Sequence, residues 1–232
     1  MVFVHRTSAS GKSYNPVFSE NEWADIIEAC HANEVPDEWV ADGTCYKDML
    51  INGTNYRIDI IGKNHDDLAD GTGKAPLTFQ LHDCYATDYP MNATNTNVGG
   101  WRDCQMRTQT MPALKLLLPA EVQAGIRPVK KLTSAGNMSP SIVNTSDELF
   151  LLSEVEIFGT SNSSFSGEGI QYEYYVAGNS KDKNSRDWWN RGPGVNNSAQ
   201  WSYAWFSPFT NTTVPSSNPA NHKYGVAFAF CF

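Results

Sequence analysis

The chain ends with Tyr224-Gly-Val-Ala-Phe-Ala-Phe-Cys-Phe232, the clearest strand pattern in the sequence. Large residues at 224, 226, 228 and 230 alternate with glycine or alanine at 225, 227 and 229, which is the period of a β-strand. One face of this strand is therefore bulky and the other is small. We expect such a strand to lie inside a sheet rather than to hang free at the end of the chain.

The segment just before this strand contains no Asp, Glu, Lys or Arg between Arg191 and Lys223. Asn, Ser and Thr are interspersed there with large aromatic residues, namely Trp201, Tyr203, Trp205, Phe206 and Phe209. The mixture is typical of binding loops, in which rigid aromatic rings supply contact area and small polar residues supply adaptable hydrogen bonds. We predict that residues 201–206 are exposed as an interaction patch and that Trp188 and Trp189 belong to the core.

Further outward, several short segments carry strand or helix signals. Alternation predicts strands from Thr54 and over Leu77–Leu81, and Glu148–Leu152 is typical of a buried strand. Capping boxes predict helices over Ser19–Asn33 and from Ser153, and Pro112 and Pro119 each suit the first turn of a short helix. The expected fold class is α+β, with short helices, a small antiparallel sheet and long loops. We expect residues 1–18 to form a flexible arm or a junction with a preceding segment, and residues 19–232 a single domain.

Composition excludes several classes of protein. The net charge of −8 does not suit binding to nucleic acid, and no apolar run is long enough to insert into a membrane as a helix. The first residues lack the layout of a secretory signal. The five cysteines are odd in number and have no CxxC spacing, so we expect free thiols in a chain synthesised in the cytoplasm.

Few residues suggest a metal site or a catalytic centre. Asp66, Asp67 and Asp70 crowd the loop 64–73, but the loop departs from the EF-hand pattern, and turn formation explains its Asp and Gly residues. His65, His82 and Asp83 are expected to be structural. No nucleophile, base and orienting group can be assembled, so we expect no metal, no cofactor and no enzymatic activity. The carboxylate pairs open to a hydrolase are Glu154 with Glu156 and Asp66 with Asp67.

Seven short sequence motifs follow one another along residues 20–232. They are Trp23-x-x-Ile-Ile27, Tyr56-Arg-Ile-Asp-Ile-Ile-Gly-Lys-Asn-His-Asp-Asp67, Gly99-Gly-Trp101 with Met106-Arg-Thr108, Lys130-Lys-Leu-Thr-Ser-Ala-Gly136, Leu149-Phe-Leu-Leu-Ser-Glu-Val-Glu-Ile-Phe-Gly159, Trp188-Trp-x-Arg191 and Gly225-Val-Ala-Phe-Ala-Phe-Cys231. Together they resemble an uncharacterised domain family of prophage tail-region proteins and surface proteins of Gram-positive gut bacteria. The family's ending, Trp-Trp-x-Arg-Ser-Pro before a variable stretch and a final Gly-Val strand, is in turn similar to the C-type-lectin-like variable proteins of diversity-generating retroelements. Arg191-Gly-Pro here replaces the family's usual Arg-Ser-Pro.

The resemblance implies a C-type-lectin-like fold with a variable binding segment over about residues 188–223. The ligand-binding residues that we expect in this segment are Asn190, Asn196, Asn197, Trp201, Tyr203, Trp205, Phe206, Asn211, Asn218, Asn221 and His222. Mutation of the adenines in Asn codons is able to generate most of these residue types, but it never generates Trp. Trp201 and Trp205 would therefore be fixed, and a constant binding loop remains open as an alternative.

The function implied is recognition of a host cell-surface protein or glycan by a phage or prophage tail adhesin, with possible diversification by a retroelement. The expected location is the virion tail or the extracellular cell surface, with homo-oligomers formed within a tail assembly. One alternative is a structural module of a tail or surface assembly. The other is a tail-associated cell-wall hydrolase.

Overall fold

The computed structural model describes residues 12–40 and 45–232. Residues 1–11 of the predicted arm lie outside the described residues. Residues 12–18 do not form an arm, because Tyr14 and Phe18 pack edge-on against the Trp39 ring at 5.8 and 5.4 Å. Phe18 is buried, so the domain begins before the predicted boundary at Ser19.

The helices of the described residues are short. They are α1 (Trp23–His31), α2 (Gly100–Asp103), α3 (Met111–Lys115), α4 (Ala120–Gly125), α5 (Glu154–Phe158) and α6 (Glu173–Val176), with 3-10 turns at Phe18–Glu20 and Asp37–Val40 and a π turn at Met106–Thr110. The capping box predicted at Ser19 is wrong. The side-chain amide of Asn21 instead donates to the carbonyl oxygens of Val17 and Phe18, which closes a separate turn ahead of α1.

Five antiparallel strands form the main sheet. In spatial order they are β1 (Tyr46–Ile51), β2 (Thr54–Lys63), β3 (Leu77–Leu81), β10 (Ala229–Cys231) and β6 (Leu149–Phe150). The predicted strands at residues 54 and 77 are confirmed as β2 and β3. The terminal strand also lies inside the sheet as predicted, although only Ala229–Cys231 join the ladder.

The core of the domain forms around Phe79 of β3. Its ring lies 5.3 Å from that of Phe230 and 5.1 Å from that of Phe232, and the ring of Trp23 from α1 contacts Phe79 and Phe232 edge-on. The pattern of alternating large and small residues in the last strand therefore serves to place aromatic rings between the sheet and α1.

Two smaller antiparallel sheets complete the described part of the chain. β4 (Val129–Ser134) pairs with β5 (Ile142–Asp147), and β7 (Trp188–Pro193), β8 (Gln200–Ser207) and β9 (Thr212–Pro219) form the third sheet. The second predicted capping box is confirmed: the Ser153 hydroxyl accepts from the backbone N–H of Glu156, and the Glu156 carboxylate accepts from that of Ser153.

The fold class is α+β, with few short helices and small antiparallel sheets, as predicted. The aromatic segment after Arg191 is not a set of loops, because most of it lies in β8 and β9. All five cysteines are free thiols. None of the helices within the described residues has the length and apolarity needed to cross a membrane.

Candidate functional site

Two tryptophans at the start of β7 fix the third sheet to the rest of the domain. Trp188 and Trp189 are fully buried, as predicted. The Trp188 indole donates to the carbonyl oxygen of Lys181, and the Trp189 indole donates to that of Tyr89 at 2.8 Å. A buried indole N–H needs such a partner, so these bonds hold both rings in one orientation. β7 is therefore a firm base for β8 and β9.

The two sides of β8 differ because successive side chains of a strand point in opposite directions. Ser202 is buried on one side, whereas Tyr203 and Trp205 lie on the other side, opposite Ser216 and Val214 of β9. This second side beyond Trp201, together with the ring of Tyr224 that packs on it, is called the aromatic face, and it consists of Tyr203, Trp205, Val214, Ser216, Asn218 and Tyr224.

Exposure increases along β8 toward the end of the hairpin. Trp201 is fully buried, Tyr203 is 7% exposed, Trp205 is 38% exposed, and Phe209 in the connection to β9 is 92% exposed. The prediction that residues 201–206 are exposed is therefore confirmed for Trp205 and wrong for Trp201 and Tyr203. Trp201 is covered because its indole turns inward and donates to the carbonyl oxygen of Thr96. Phe206 is half-buried.

Stacked rings form the floor of the aromatic face. The Tyr203 and Tyr224 rings are nearly parallel, with centroids 4.7 Å apart, and Trp189 meets Tyr224 edge-on at 4.8 Å. The side-chain amide of Asn218 donates to the Tyr224 hydroxyl. These contacts hold the rings in place, so a ligand would meet an ordered surface at low entropy cost. The sequence pattern places Tyr224 only in the last strand and does not indicate its place in this surface.

The outer edge of the third sheet is poorly suited to strand addition. Among the described residues, β9 pairs only with β8, but it contains Pro215 and Pro219, which have no backbone N–H. Prolines on an edge strand interrupt the row of donors that a further strand needs. The face of the sheet, rather than its edge, is therefore the surface open to a partner.

A buried asparagine outside the segment orders the entry into β8. The side-chain amide of Asn97 donates to the carbonyl oxygens of Asn197 at 3.0 Å and Gln200 at 2.8 Å. Its side-chain oxygen accepts from the backbone N–H of Asn137 at 2.8 Å. This role was not predictable from the sequence, because Asn97 lies in an Asn- and Thr-rich stretch where nothing marks one residue as buried.

Asn190 is not available to a ligand, contrary to prediction. Its side chain is buried and its amide donates to the Ser202 hydroxyl at 3.1 Å. That hydroxyl in turn donates to Glu154, so the inner side of β8 is tied to α5. Asn190 and Trp201 position the surface from below and do not form part of it.

The remaining predicted site residues reach solvent at the two ends of the hairpin. Asn196, Asn197, Asn221 and His222 are exposed near its base, where Gln200 pairs with Pro219, and Asn211 is exposed at the opposite end. Asn218 is half-buried within the aromatic face. The predicted site residues therefore fall into three groups. Some lie in the aromatic face, some lie at the two ends of the hairpin, and Asn190 and Trp201 are buried beneath it.

A group of charged side chains lies buried beneath β7. It is called the ionic core, and it consists of Asp66, Lys131, Glu156, Glu168 and Arg191. The Arg191 guanidinium donates to both oxygens of Glu156 and to the carbonyl oxygens of Leu132, Leu151 and Glu168. Lys131 Nζ lies 2.6 Å from Asp66 Oδ1 and 2.8 Å from Glu156 Oε1.

The pKa values of the ionic core follow from burial opposed by neighbouring charge. Burial alone would raise the pKa of Asp66 and Glu156, but Lys131 beside both, and Arg191 beside Glu156, lower these pKa values, that of Asp66 to about 2. Burial is not offset at Glu168, whose pKa rises to about 7. The core therefore contains paired charges and one carboxyl that releases its proton near neutrality.

The carboxylates considered for a hydrolase are engaged in structural contacts. Glu154 accepts from the backbone N–H groups of Asn162 at 2.5 Å and Ser163 at 3.0 Å, in addition to Ser202. Glu156 serves the capping box and the ionic core, and Asp67 pairs with Lys74 at 2.9 Å. Asp66 and Glu156 border a surface groove of about 360 Å³, but donors of the protein already occupy their oxygens.

The loop 64–73 also uses its carboxylates within the protein. Asp70 accepts from Thr72 and from Arg127 at 3.0 Å, while Asp66 lies in the ionic core. His65 stacks on Tyr172 at 4.0 Å, and His82 Nδ1 lies 2.6 Å from a carboxylate oxygen of Asp59. Over residues 12–40 and 45–232, no group of three or more His, Cys, Asp or Glu side chains is placed to hold a metal ion.

Taken together, fold and surface define an α+β domain that presents an uncharged aromatic sheet face above a buried ionic core. The chain belongs to the family described as "Domain of unknown function (DUF6273)", whose sequence profile matches residues 77–232. Comparisons with curated proteins and with solved structures gave no match.

Proposed function

We propose that this chain is a non-enzymatic recognition domain that binds a ligand on a cell surface, as the receptor-binding part of a phage or prophage tail protein. One observation carries the proposal: Trp205 and Phe209 project from a hairpin that contains no charged residue, while the base of the hairpin is fixed by buried rings and hydrogen bonds. Exposed aromatic side chains on a firm support are the usual anchors of an interface. The expected location is the virion tail or the cell surface.

We further propose that the domain has a C-type-lectin-like fold. In support, the two ends of the described domain meet in the core, where Trp23 of α1 contacts Phe232 and β10 runs between β3 and β6. The β8–β9 hairpin is then an insertion before the last strand. This is the place where the resemblance to the variable proteins of retroelements puts the binding segment.

The ligand that this surface suits is uncharged, whether glycan or protein. Residues 192–222 contribute no charged side chain, and the aromatic face offers stacked rings with the amide of Asn218 and the hydroxyl of Ser216 beside them. Rings of this kind stack on sugar rings or on apolar side chains, and the amides supply hydrogen bonds. Binding should therefore change little with salt concentration, because screening acts on charge pairs.

Most of the Asn residues that a retroelement would diversify are exposed to solvent. Asn196, Asn197, Asn211 and Asn221 reach solvent, so substitution there would change the surface at little cost to the fold. Asn190 is buried against Ser202, and its variation would disturb β8. We expect a diversified copy of the gene to vary at the exposed positions and to keep Asn190.

The test is binding of the purified domain to a panel of Gram-positive gut bacteria, compared among single variants. Trp205→Ala and Phe209→Ala should each lower the affinity at least ~10-fold, which corresponds to about 1.4 kcal/mol. Leu116→Ala is the matched control, since Leu116 is 73% exposed outside the third sheet and its loss should leave binding unchanged. Equal binding by all three variants would contradict the site.

Two treatments of the cells separate the ligand classes and the alternatives. Periodate oxidation of glycans abolishes binding to a sugar, and protease treatment abolishes binding to a protein. If the structural-module alternative holds, Trp205 lies buried between subunits, and Trp205→Ala dissociates an oligomer without affecting cells. Cleavage of purified cell walls that is lost in Glu154→Gln would instead favour the hydrolase.

A further inference from the structure

Lys131 lies between two carboxylates in the interior of the domain. Its Nζ is 2.6 Å from Asp66 Oδ1 and 2.8 Å from Glu156 Oε1, and all three side chains are almost completely buried. The lysine comes from β4 and the aspartate from the loop after β2, 65 residues apart in the chain. Nζ is thus held against a carboxyl group that an amine is able to attack.

Aromatic rings lie against the amine, and little of the three side chains is exposed to solvent. The Phe150 ring lies 4.4 Å from Lys131 Nζ, and the Tyr172 ring lies 5.4 Å from it. Exclusion of water matters because amide formation releases water, and a dry site favours the amide product. The groove beside Asp66 and Glu156 provides a route by which one water molecule leaves.

We propose that Lys131 and Asp66 join in an intramolecular isopeptide bond. The bond forms between Lys131 Nζ and Asp66 Cγ, and the bond from Cγ to one carboxylate oxygen breaks. The ammonium loses two protons, which depart with that oxygen as water. Atoms and charge balance without an oxidant, a reductant or a second reactant, since the ion pair already contains everything that the amide and the water require.

The neighbouring side chains are placed to assist this step. The Tyr172 hydroxyl donates to Asp66 Oδ1 and Oδ2 at 3.0 and 2.8 Å, and the Thr78 hydroxyl donates to Oδ2 at 2.6 Å. These donors stabilise the negative oxygen that develops when the amine attacks. Glu156 is held by Arg191 as a carboxylate, so it accepts a proton from Lys131 and returns it to the departing oxygen.

The ion pair is the starting state of the reaction. Burial lowers the pKa of Lys131, but Asp66 and Glu156 raise it above the ordinary value, and Lys131 in turn lowers the pKa of Asp66. The neutral amine of Lys131 is therefore rarely present, and attack on Asp66 is slow. The fold compensates because it keeps the two groups in contact, and effective molarities for held groups reach about 10⁵–10⁸ M. The amide also removes one buried charge of each sign, which ends their desolvation cost.

The mass of the intact protein tests the proposal directly. The full chain is produced without any cross-linking reagent and measured by mass spectrometry under denaturing conditions. The expected mass is lower than the sequence mass by one water molecule. A mass equal to the sequence mass, with trypsin cleaving after Lys131 in the unfolded protein, would overturn the proposal.

A peptide map identifies the residues involved, because Asp-Gly sequences also lose water by cyclising. This chain has such pairs at Asp42-Gly43 and Asp70-Gly71. The isopeptide predicts one branched peptide that contains both Asp66 and Lys131 and no cleavage after Lys131. A water loss found in a linear peptide at residue 42 or 70 would contradict it.

Substitutions separate the chemistry from the fold. Asp66→Asn should release ammonia in place of water, so the mass deficit of that variant changes by the difference between the two. Lys131→Arg should abolish the deficit, whereas Lys74→Arg at the exposed pair with Asp67 should leave it unchanged. Should Lys131→Arg fail to fold, the wild-type mass and its peptide map still decide the question. A deficit that persists in folded Lys131→Arg would refute the assignment.

Discussion

The ionic core and the aromatic face both adjoin the third sheet, but they contain opposite kinds of side chain. The ionic core buries five ionisable side chains and satisfies most of them within the protein. The aromatic face contains no ionisable carboxylate or amine and leaves Trp205 partly uncovered. Burial of a charge and exposure of an aromatic ring to water both cost free energy.

The contrast indicates which region serves stability and which serves recognition. Arg191 in β7 connects them, since its guanidinium is the centre of the ionic core and its strand pairs with β8. Damage to the ionic core should therefore unfold the domain, and damage to the exposed end of the aromatic face should leave the fold intact.

Arg191→Met should have the largest effect on stability. It leaves Glu156 buried without its main partner and deprives three backbone carbonyl oxygens of a donor. Removal of one member of a buried ion pair typically costs about 3–5 kcal/mol, a large part of the stability of a domain. Urea denaturation followed by tryptophan fluorescence measures the loss.

Arg102→Ala is the control, because the pair of Arg102 with Asp103 is on the surface. Its loss should change stability by less than about 1 kcal/mol. Equal losses in both variants would mean that the ionic core is not a stabilising element.

Trp201→Ala and Trp205→Ala should differ although the two residues share one side of β8. Trp201 is fully buried and its indole bonds to Thr96, so truncation should cost about 3–5 kcal/mol. Trp205 is 38% exposed, and its truncation should cost about 1 kcal/mol or less. Thermal unfolding of the two variants side by side measures the difference. If Trp205→Ala proved as destabilising as Trp201→Ala, the exposed end of the aromatic face would belong to the core.

Glu168 should make the stability of the domain depend on pH around neutrality. Its Oε1 accepts from the backbone N–H of Ser134 at 2.7 Å, while its buried Oε2 has no hydrogen-bond partner among the described residues. Arg191 and Glu156 are the charged groups that act on it. Burial raises its pKa from the ordinary value of 4.5 to about 7, so the folded state holds the proton more tightly than the unfolded chain does. The contribution of Glu168 to stability is therefore complete below pH 4.5 and is lost as the pH rises through 7.

The measurement is the free energy of unfolding between pH 5 and pH 8 for the wild type and for Glu168→Gln. The wild type should lose up to about 3 kcal/mol relative to the variant over this range, since each pKa unit corresponds to about 1.4 kcal/mol. Glu168→Gln keeps the shape of the side chain and has no proton to release. Parallel curves for the two proteins would show that Glu168 does not titrate in this range.

Local signals predicted much of the fold. The Ser153–Glu156 capping box and the alternation in β2 and β3 act over a few residues, and each formed as predicted. The terminal strand was placed correctly because its large apolar residues need to be covered, and Phe228 and Phe230 are fully buried in the structure. The capping box at Ser19 was wrong because the backbone of Asn21 and Glu22 is extended, so the helix begins only at Trp23.

The candidate site was less predictable because it depends on contacts between distant residues. Trp201, Tyr203 and Trp205 do alternate with Ser202 and Ala204, so a strand signal was present for β8. β9 has no such signal, since it contains Pro215, Pro219 and mostly polar residues. It forms a strand because it pairs with β8 along its whole length. The difference between buried Trp201 and exposed Trp205 arises from a loop near Thr96, more than a hundred residues away. Sequence composition identified the segment, but it did not indicate which of its rings face solvent.

Asn218→Ala should have the smallest effect on stability and still change the aromatic face. The variant loses one hydrogen bond to the Tyr224 hydroxyl at a half-buried position, which should cost about 1 kcal/mol. Tyr224→Phe removes the other partner of the same bond and keeps the ring stacked on Tyr203. In a double-mutant cycle by urea denaturation, the double variant should cost less than the sum of the two single variants, because only one bond is lost. Strict additivity would show that the two side chains do not interact in solution, and that the Tyr224 ring is then held by stacking alone.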